Sequence, residues 1–455
     1  MAQISVQKKL LFSILTTIVV LGLAELTIQH LHKTDTLELT RQDDQVLYVD
    51  DRIFQQKGHR LLSVDDAMLP IALRATKGNA WRTFVVGGSF AMGSPYATHL
   101  PAEFSMGTPD APHLREPRSQ RKNLDGGIPS WLALGLKHSG SSVPLEVANT
   151  TTGGQNSHRS RRVVEQLVHH DPDLLIVMTC NNEGEPPPSL VSEELRELGG
   201  YRLLSKLIRG EAQPTDRPVI SLQRAEHEEL RHSFMASLQA IAAATEAAGV
   251  PVLLATLPLN LMLEGVGSHR MIGAPPPTDR PACATAAQDA LKKGDATGAL
   301  AVAQSCENLA LAAYWSGRSL LAQGQTDAAH QALTLAAELQ PSNRCRPSFQ
   351  QVIREVAASH EHVHLLDLEA QAVADAPLGL PGGEQFLDSC HMDMRGYLSM
   401  AERTRQRIVE LGLGPSGATA QPLPPDVVNV HMERWKLSEE HKTHERPPQA
   451  APTTR

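Results

Sequence analysis

The chain has 455 residues, a formal net charge of -8, 20% charged residues and only 4% aromatic ones. That length suits one large or two modest domains, and the mildly acidic balance gives no expectation of nucleic acid as a partner. Its 31 prolines and 32 glycines imply long loops between elements.

The first element in chain order is an apolar run. MAQISVQKK carries two lysines and no acid, and Leu10 to Ala24 is uncharged. A run of about fifteen residues has the length of a signal-peptide core and is short for a membrane span. With Glu25 at the interface, Lys8 to Ile28 would instead span as an anchor. The flank Glu25 to Arg52 holds seven acids against three Lys/Arg, the asymmetry expected of the outer side, so both readings export everything after Glu25. A buried soluble helix is the plainer alternative.

Strand-like and helix-like stretches then alternate. Thr83–Val86 reads as a buried strand, 98–127 as a polar, Pro-rich loop and Ile128–His138 as an amphipathic helix. Pro144–Ala148 is a second strand, Ser157–His170 a helix and Leu174–Thr179 a third strand. A long helix, Arg224–Ala248, precedes a fourth strand, Val250–Thr256. A helix at Ser348–Ser359, a fifth strand at Val363–Leu368 and a last helix at Met392–Leu411 complete the series. Short apolar strands separated by helices predict an α/β fold with a parallel sheet covered on both faces.

One segment breaks the alternation. Ala282 to Gln340 shows only Ala-rich helical pattern, in two related units offset by thirty residues, with Gly294 and Ala299 matched by Gly324 and Ala329. Gly317, Gly324, Ala329, Ala336 and Pro341 fall where a tetratricopeptide-type repeat places its small residues and closing proline, although such repeats run to about 34 residues. The expectation is a pair of inserted helical hairpins, with an ordinary helical lid as the bland alternative. Domains follow: an N-terminal signal or anchor (1–28), a membrane-proximal segment (29–79), an α/β domain in two parts (80–281 and 345–413), the insert (282–344) and a disordered tail (414–455) with a short helix near Trp435.

The chemistry gathers at strand ends. WRTFVVGGSF places Ser89 directly after a strand, held by Gly87 and Gly88. The second strand ends in NTTTGGQNS with Gly154, the third in CNNE with Asn182, and FLDSCHMD sets Asp388 and His391 before the last helix. Ligands of open parallel sheets bind beyond the carboxyl ends of the strands, so these residues are expected on one rim. Acyl transfer needs such a set: Ser89 as nucleophile, His391 as its base, Asp388 to orient the imidazole and stabilise its charged form. The backbone N–H groups of Ser89 and Gly154, with the Asn182 amide, are the candidate oxyanion donors. Read singly, Ser89 and Gly154 are turn residues, Asn182 a loop residue, and Asp388 and His391 a cap and flank of the last helix; the constellation favours the chemical roles.

Four blocks in this order, GGS at 87–89, NTTTGGQNS at 149–157, CNNE at 180–183 and DSCH at 388–391, resemble those of the SGNH (GDSL-type) hydrolase superfamily. The resemblance covers roughly 80–260 and 345–411, and is closest to membrane-anchored bacterial members with a tetratricopeptide-like insert. It implies a flavodoxin-like three-layer α/β/α sandwich and an exported serine esterase acting on a carboxylic ester, with no cofactor or metal. Gly88 stands in place of an aspartate, Glu183 in place of another, and Cys180 in place of the third block's leading glycine, where a side chain would narrow the pocket or tilt Asn182.

Alternatives from other classes remain. An O-acyltransferase or deacetylase acting on envelope carbohydrate would use the same residues. A non-catalytic scaffold would bind a protein partner at the insert beside a relic site. The substrate side is an ester, with acylated carbohydrate and lipid as candidates. GGSFA misses the α/β-hydrolase elbow at Ala91, and no phosphate-binding loop follows the strand. His360, His362 and His364 alternate in SHEHVHLL and hint at a metal, though scattered strand-edge histidines explain them better. Cys283 and Cys306 lie symmetrically about Gly294-Asp295, which would bring them opposite each other in a hairpin; a Cys180–Cys390 bond at the rim is also conceivable.

Overall fold

The computed structural model describes residues 53–63, 71–94, 96, 126–183, 224–264, 281–339 and 344–433. The expected N-terminal span, most of the 98–127 loop and the Trp435 region lie outside the described residues, as do 184–223 and 265–280. Among the described residues no helix is long and apolar enough to cross a membrane.

Three short antiparallel strands come first: β1 (Phe54–Lys57), β2 (Arg60–Ser63) and β3 (Ala72–Arg74). Next are β4 (Trp81–Gly87), the one-turn helix α1 (Ser89–Met92), α2 (Ile128–His138), β5 (Leu145–Asn149) and α3 (Ser157–Leu167). They are followed by β6 (Leu174–Met178), α4 (Arg224–Ala247) and β7 (Val252–Thr256). Four helices interrupt the alternation: α5 (Ala282–Lys292), α6 (Ala296–Gln304), α7 (Leu309–Ala322) and α8 (Thr326–Leu339). It resumes with α9 (Pro347–Ser359), β8 (Val363–Asp367), α10 (Leu368–Asp375) and α11 (Met394–Glu410), and α12 (Pro425–Glu433) closes the described chain.

β4, β6 and β7 are buried along their whole length, as central strands of a sheet covered by helices on both faces are; β6 is apolar throughout, while β4 also buries Arg82 and Thr83. With β5 and β8 they form a five-stranded parallel sheet in the order β5-β4-β6-β7-β8. Numbered within this sheet, that is the 2-1-3-4-5 order of flavodoxin-like folds, whose ligands sit where the order reverses. The reversal falls at β4, the strand that ends in Ser89. The helices form two groups, α2 packing on α11 and α3 and α9 packing on α4.

The far end of β4 is anchored by Arg82, which is fully buried. Its Nε donates to Glu146 Oε2 at 2.7 Å, Nη1 to the His170 carbonyl at 2.6 Å and Nη2 to the Arg74 carbonyl at 2.6 Å. A buried guanidinium is tolerated when its donors are satisfied in this way, and these bonds tie β3 and β5 to the base of the sheet.

The insert is two helical hairpins with a small core of its own, including Leu311, Tyr314, Trp315 and Leu333, packed on Leu259, Leu261 and Leu380. Cys283 and Cys306 are bonded, their Cα atoms 5.6 Å apart. Cys180 pairs with Cys345 and leaves Cys390 as a buried thiol, so the conceivable Cys180–Cys390 bond does not form. The tail also departs from expectation. Residues 414–433 pack on the α/β domain: Ser142 N donates to the Ser416 carbonyl at 3.0 Å, Leu423 is buried, and the His431 ring meets Trp131 at 4.2 Å. A helix, Pro425–Glu433, reaches the last described residue, and the Trp435 region lies beyond the described residues.

Candidate active site

β4 ends at Gly87, where a side chain has no room: a Cβ would stand 2.1 Å from the Met178 carbonyl oxygen of β6. The second glycine has a different reason. A Cβ on Gly88 would stand 2.6 Å from Asn182 Nδ2 and 3.0 Å from the Gln155 carbonyl oxygen. The glycine pair therefore lets the turns after β5 and β6 close directly against the serine, and a side chain at position 88, such as the aspartate that the resemblance leads one to expect, would have to displace the Asn182 amide.

Ser89 opens α1 with its side chain partly exposed. Its Oγ lies 2.7 Å from His391 Nε2, and His391 Nδ1 lies 2.7 Å from Asp388 Oδ2. An ionised carboxylate only accepts, so Nδ1 carries the proton and Nε2 is left to accept from the serine hydroxyl. The Asp-x-x-His spacing has a local cause. Asp388 Oδ1 accepts from the backbone N–H of Cys390 at 2.8 Å and of His391 at 2.7 Å, folding the loop so that Oδ2 meets the ring. Leu387 N donates to the His391 carbonyl at 2.8 Å and closes the loop. The last helix takes its cap from Asp393, whose side chain accepts from Gly396 N at 2.7 Å; Asp388 has no part in it.

Asp388 and His391 are only 1% and 2% exposed. Burial alone would raise the Asp388 pKa; the adjacent His391 and the hydrogen bonds to the carboxylate reverse this and hold it below the usual carboxylate range. Burial alone would lower the His391 pKa; the Asp388 carboxylate, with Cys390 beside it, outweighs that and raises it well above the ordinary imidazole value. The pair is thus built to carry a positive ring next to a negative carboxylate. The Cys390 Sγ sits 3.6 Å from His391 Nδ1.

The other two blocks close around the serine from the opposite side. Thr150 and Thr152 donate their backbone N–H groups to the Val85 and Gly87 carbonyls at 3.0 and 3.1 Å. Gln155 Nε2 donates to Ser160 Oγ at 3.0 Å and Thr152 Oγ1 donates to Gln155 Oε1 at 2.8 Å, which fixes the loop's return. Gly154 lies between these contacts, exposed and left-handed with φ +72°. Asn182 Nδ2 donates to the Gln155 carbonyl at 3.1 Å, leaving its second hydrogen uncommitted among the described residues. Glu183 accepts from Ser157 N at 2.6 Å and Ser157 Oγ at 2.8 Å, an acid at the start of α3. Burial, only partly offset by these two bonds, pushes the Glu183 pKa up to about 7.

The structure thus brings Ser89, His391 and Asp388 into one hydrogen-bonded line, with Asn182 against Gly88 and Gly154 on the adjoining loop. Asn260 is a member that the sequence did not signal; its Nδ2 donates to the Asp388 carbonyl at 2.9 Å and its N–H to the Ser389 carbonyl at 3.2 Å. An asparagine just past a strand is too common a loop residue to stand out. Asp388, Cys390 and His391 offer donor atoms within 4.8 Å of one another, but both Asp388 oxygens are already engaged by N–H groups. The three histidines at 360–364 do not converge on a site: the His362 ring nitrogen meets the Ala242 carbonyl at 2.9 Å and Thr245 Oγ1 at 3.2 Å.

Neither family models nor curated protein sequences give a match to this chain. Among solved structures, an acetyl xylan esterase, AlAXEase, is similar at 13% identity over 71% of this chain and 97% of its own, with a TM-score of 0.31. The salicylyl-acyltransferase SsfX3 from a tetracycline biosynthetic pathway is similar at 12% identity over 76% of this chain and 58% of its own, with a TM-score of 0.28.

Proposed function

We propose that the chain is a serine esterase of SGNH type that cleaves a carboxylic ester through an acyl-enzyme. The observation that carries this reading is the unbroken line from Ser89 Oγ through His391 to Asp388, 2.7 Å at each step. His391 Nε2 takes the hydroxyl proton as Ser89 Oγ attacks the ester carbonyl carbon. The carbonyl π electrons move onto oxygen, and the N–H groups of Ser89 and Gly154 and the Asn182 amide stabilise that charge. Collapse expels the alcohol, which takes the proton from His391. Water then repeats the sequence and releases the acid. Asp388 keeps its negative charge throughout and stabilises the imidazolium.

Two disulfides, Cys180–Cys345 and Cys283–Cys306, support an oxidising compartment, in keeping with the lysine-flanked apolar run at the N-terminus. We place the catalytic domain outside the cytoplasm, held to the membrane by that run, and read the helical insert as tetratricopeptide-like and available to a protein partner. Ester hydrolysis and fluorophosphonate labelling of the purified protein test the reading. Both are expected in the wild type and both are expected to vanish in Ser89→Ala. Activity that survives Ser89→Ala would assign it to another site; a folded, inert wild type would favour the scaffold alternative. An acyl acceptor that outcompetes water would make the enzyme a transferase.

A further inference from the structure

We infer that the Cys180–Cys345 disulfide, with Asn181, is a positioning device for the oxyanion side of the site, so that full activity requires this bond to be oxidised. The inference rests on the proposed esterase reading and deepens it.

Asn182 stands between two anchors. On its C-terminal side, Glu183 is bonded to the first residue of α3. On its N-terminal side, two consecutive residues are fastened to the chain returning from the insert. Cys180 is bonded to Cys345 across 165 residues, and Asn181 Oδ1 accepts from Cys345 N–H at 2.8 Å. Cys180 is 1% exposed and Cys345 is fully buried, so the link lies inside the domain and does not merely join surface loops. The receiving segment is itself fixed. Arg344, 5% exposed, donates from Nη2 to the Leu263 carbonyl at 3.0 Å, and Cys345 leads directly into α9, which packs on β7 and β8.

Asn182 needs such restraint because little else holds it. Among the described residues its amide makes a single hydrogen bond, to the Gln155 carbonyl, and leans on a glycine that offers no side chain. An oxyanion donor acts through preorganisation, and a displacement of well under an ångström weakens it. The cysteine that stands in place of a glycine in CNNE is thus taken up by the clamp.

Reduction adds two electrons and two protons to the sulfur pair, supplied by dithiothreitol, which closes to its cyclic disulfide. The test uses the full chain carrying Cys283→Ala and Cys306→Ala, so that Cys180–Cys345 is the one reducible bond among the described cysteines, beside the separate pair Cys180→Ala/Cys345→Ala. Opening the bond is expected to lower kcat by roughly 10- to 100-fold with KM changed little, below the about 10²–10³ ceiling for losing the donor itself. Reoxidation should restore it. In an Asn182→Ala background, reduction should have no further effect on kcat. Amide hydrogen exchange over 179–183 should rise on reduction, a readout independent of catalysis, and it decides the matter even where the esterase reading fails for want of Ser89-dependent activity. Unchanged exchange over 179–183 overturns the inference. So does a loss of kcat that is equally large in the Asn182→Ala background.

Discussion

The Asn182 amide lies against Gly88, so close that a Cβ on the glycine would stand 2.6 Å from its nitrogen. The contact joins the turn that presents the serine to the turn that presents a candidate oxyanion donor. Gly88→Ala should therefore leave the fold largely intact, because Gly88 has an ordinary backbone conformation, φ -87°. It should push the Asn182 amide aside, since the Gln155 carbonyl oxygen on the other side, at 3.0 Å, is backbone and yields less. We expect kcat to fall by about 10- to 100-fold with an unchanged melting temperature, and Asn182→Ala to add little on top of it. Additive losses would mean that the two residues act separately.

The second prediction concerns pH. His391 must be neutral to accept the serine proton, and its pKa is raised by the Asp388 carboxylate against the opposing effect of burial. Activity should fall as the pH drops through that raised value, so the acid limb of kcat/KM should lie above the ordinary value of about 6.5. Asp388→Asn removes the main raising cause and leaves burial, so an NMR titration of the His391 ring should move to lower pH. Activity should fall by up to about 10⁴ as the imidazole loses the carboxylate that fixes its tautomer and stabilises its charged form. The same ring titration in both proteins would refute the coupling.

Glu183 gives a stability prediction with a defined sign. Its folded-state pKa is about 7 against an ordinary value of 4.5. Between those values the folded state holds a proton that the unfolded chain has released. Its contribution is fully present below pH about 4.5 and is lost as the pH rises through about 7. Urea unfolding of wild type and Glu183→Gln at pH 5 and pH 8 should show the wild type losing more stability over that interval than the variant. A difference between the two proteins that does not change with pH would show that the carboxyl titrates normally.

Much of this arrangement was legible in the residues, for reasons that differ by element. The helix Ile128–His138 was read to the residue because Gly127 and Pro129 mark its start and its apolar spacing is regular. The sheet strands were read within two residues because buried parallel strands are continuous apolar runs. The strands at Phe54–Lys57, Arg60–Ser63 and Ala72–Arg74 have no signature in the sequence because three or four residues of mixed polarity carry no period. α10 is hidden in the sequence because Asp367 both ends β8 and caps the helix that follows, accepting from Ala370 N at 3.1 Å, with no linker to announce it. The hairpin disulfide followed from local symmetry about Gly294, whereas Cys180–Cys345 joins residues whose proximity exists only after the whole sheet has formed. Gly88 was noted as a departure from a family pattern; its reason, the Asn182 amide, is a tertiary contact.

The insert offers a prediction independent of the catalytic residues. Gly317 of α7 faces α8 so closely that a Cβ would meet Leu333 Cγ at 2.7 Å and the Ala329 carbonyl oxygen at 3.1 Å. Leu333 is 1% exposed, so it cannot move without disturbing the hairpin core. Gly317→Ala gains helix propensity of about 1 kcal/mol from losing a mid-helix glycine, but overpacking a tight contact costs about 1–3 kcal/mol, and the backbone oxygen cannot yield as a side chain can. The net effect should be destabilising, and confined to the hairpins. Trp315, one turn-face away in the same small core, reports on them directly. Resolved by fluorine NMR from Trp81, Trp131 and Trp435 after fluorotryptophan labelling, its signal should shift at lower urea in Gly317→Ala than in the wild type. The signals of Trp81 and Trp131, both buried in the α/β core, should follow at a higher concentration in both. A variant as stable as the wild type by the Trp315 signal would show that the two helices slide apart to admit the methyl group, and that their close approach at Gly317 is not what holds the hairpins together.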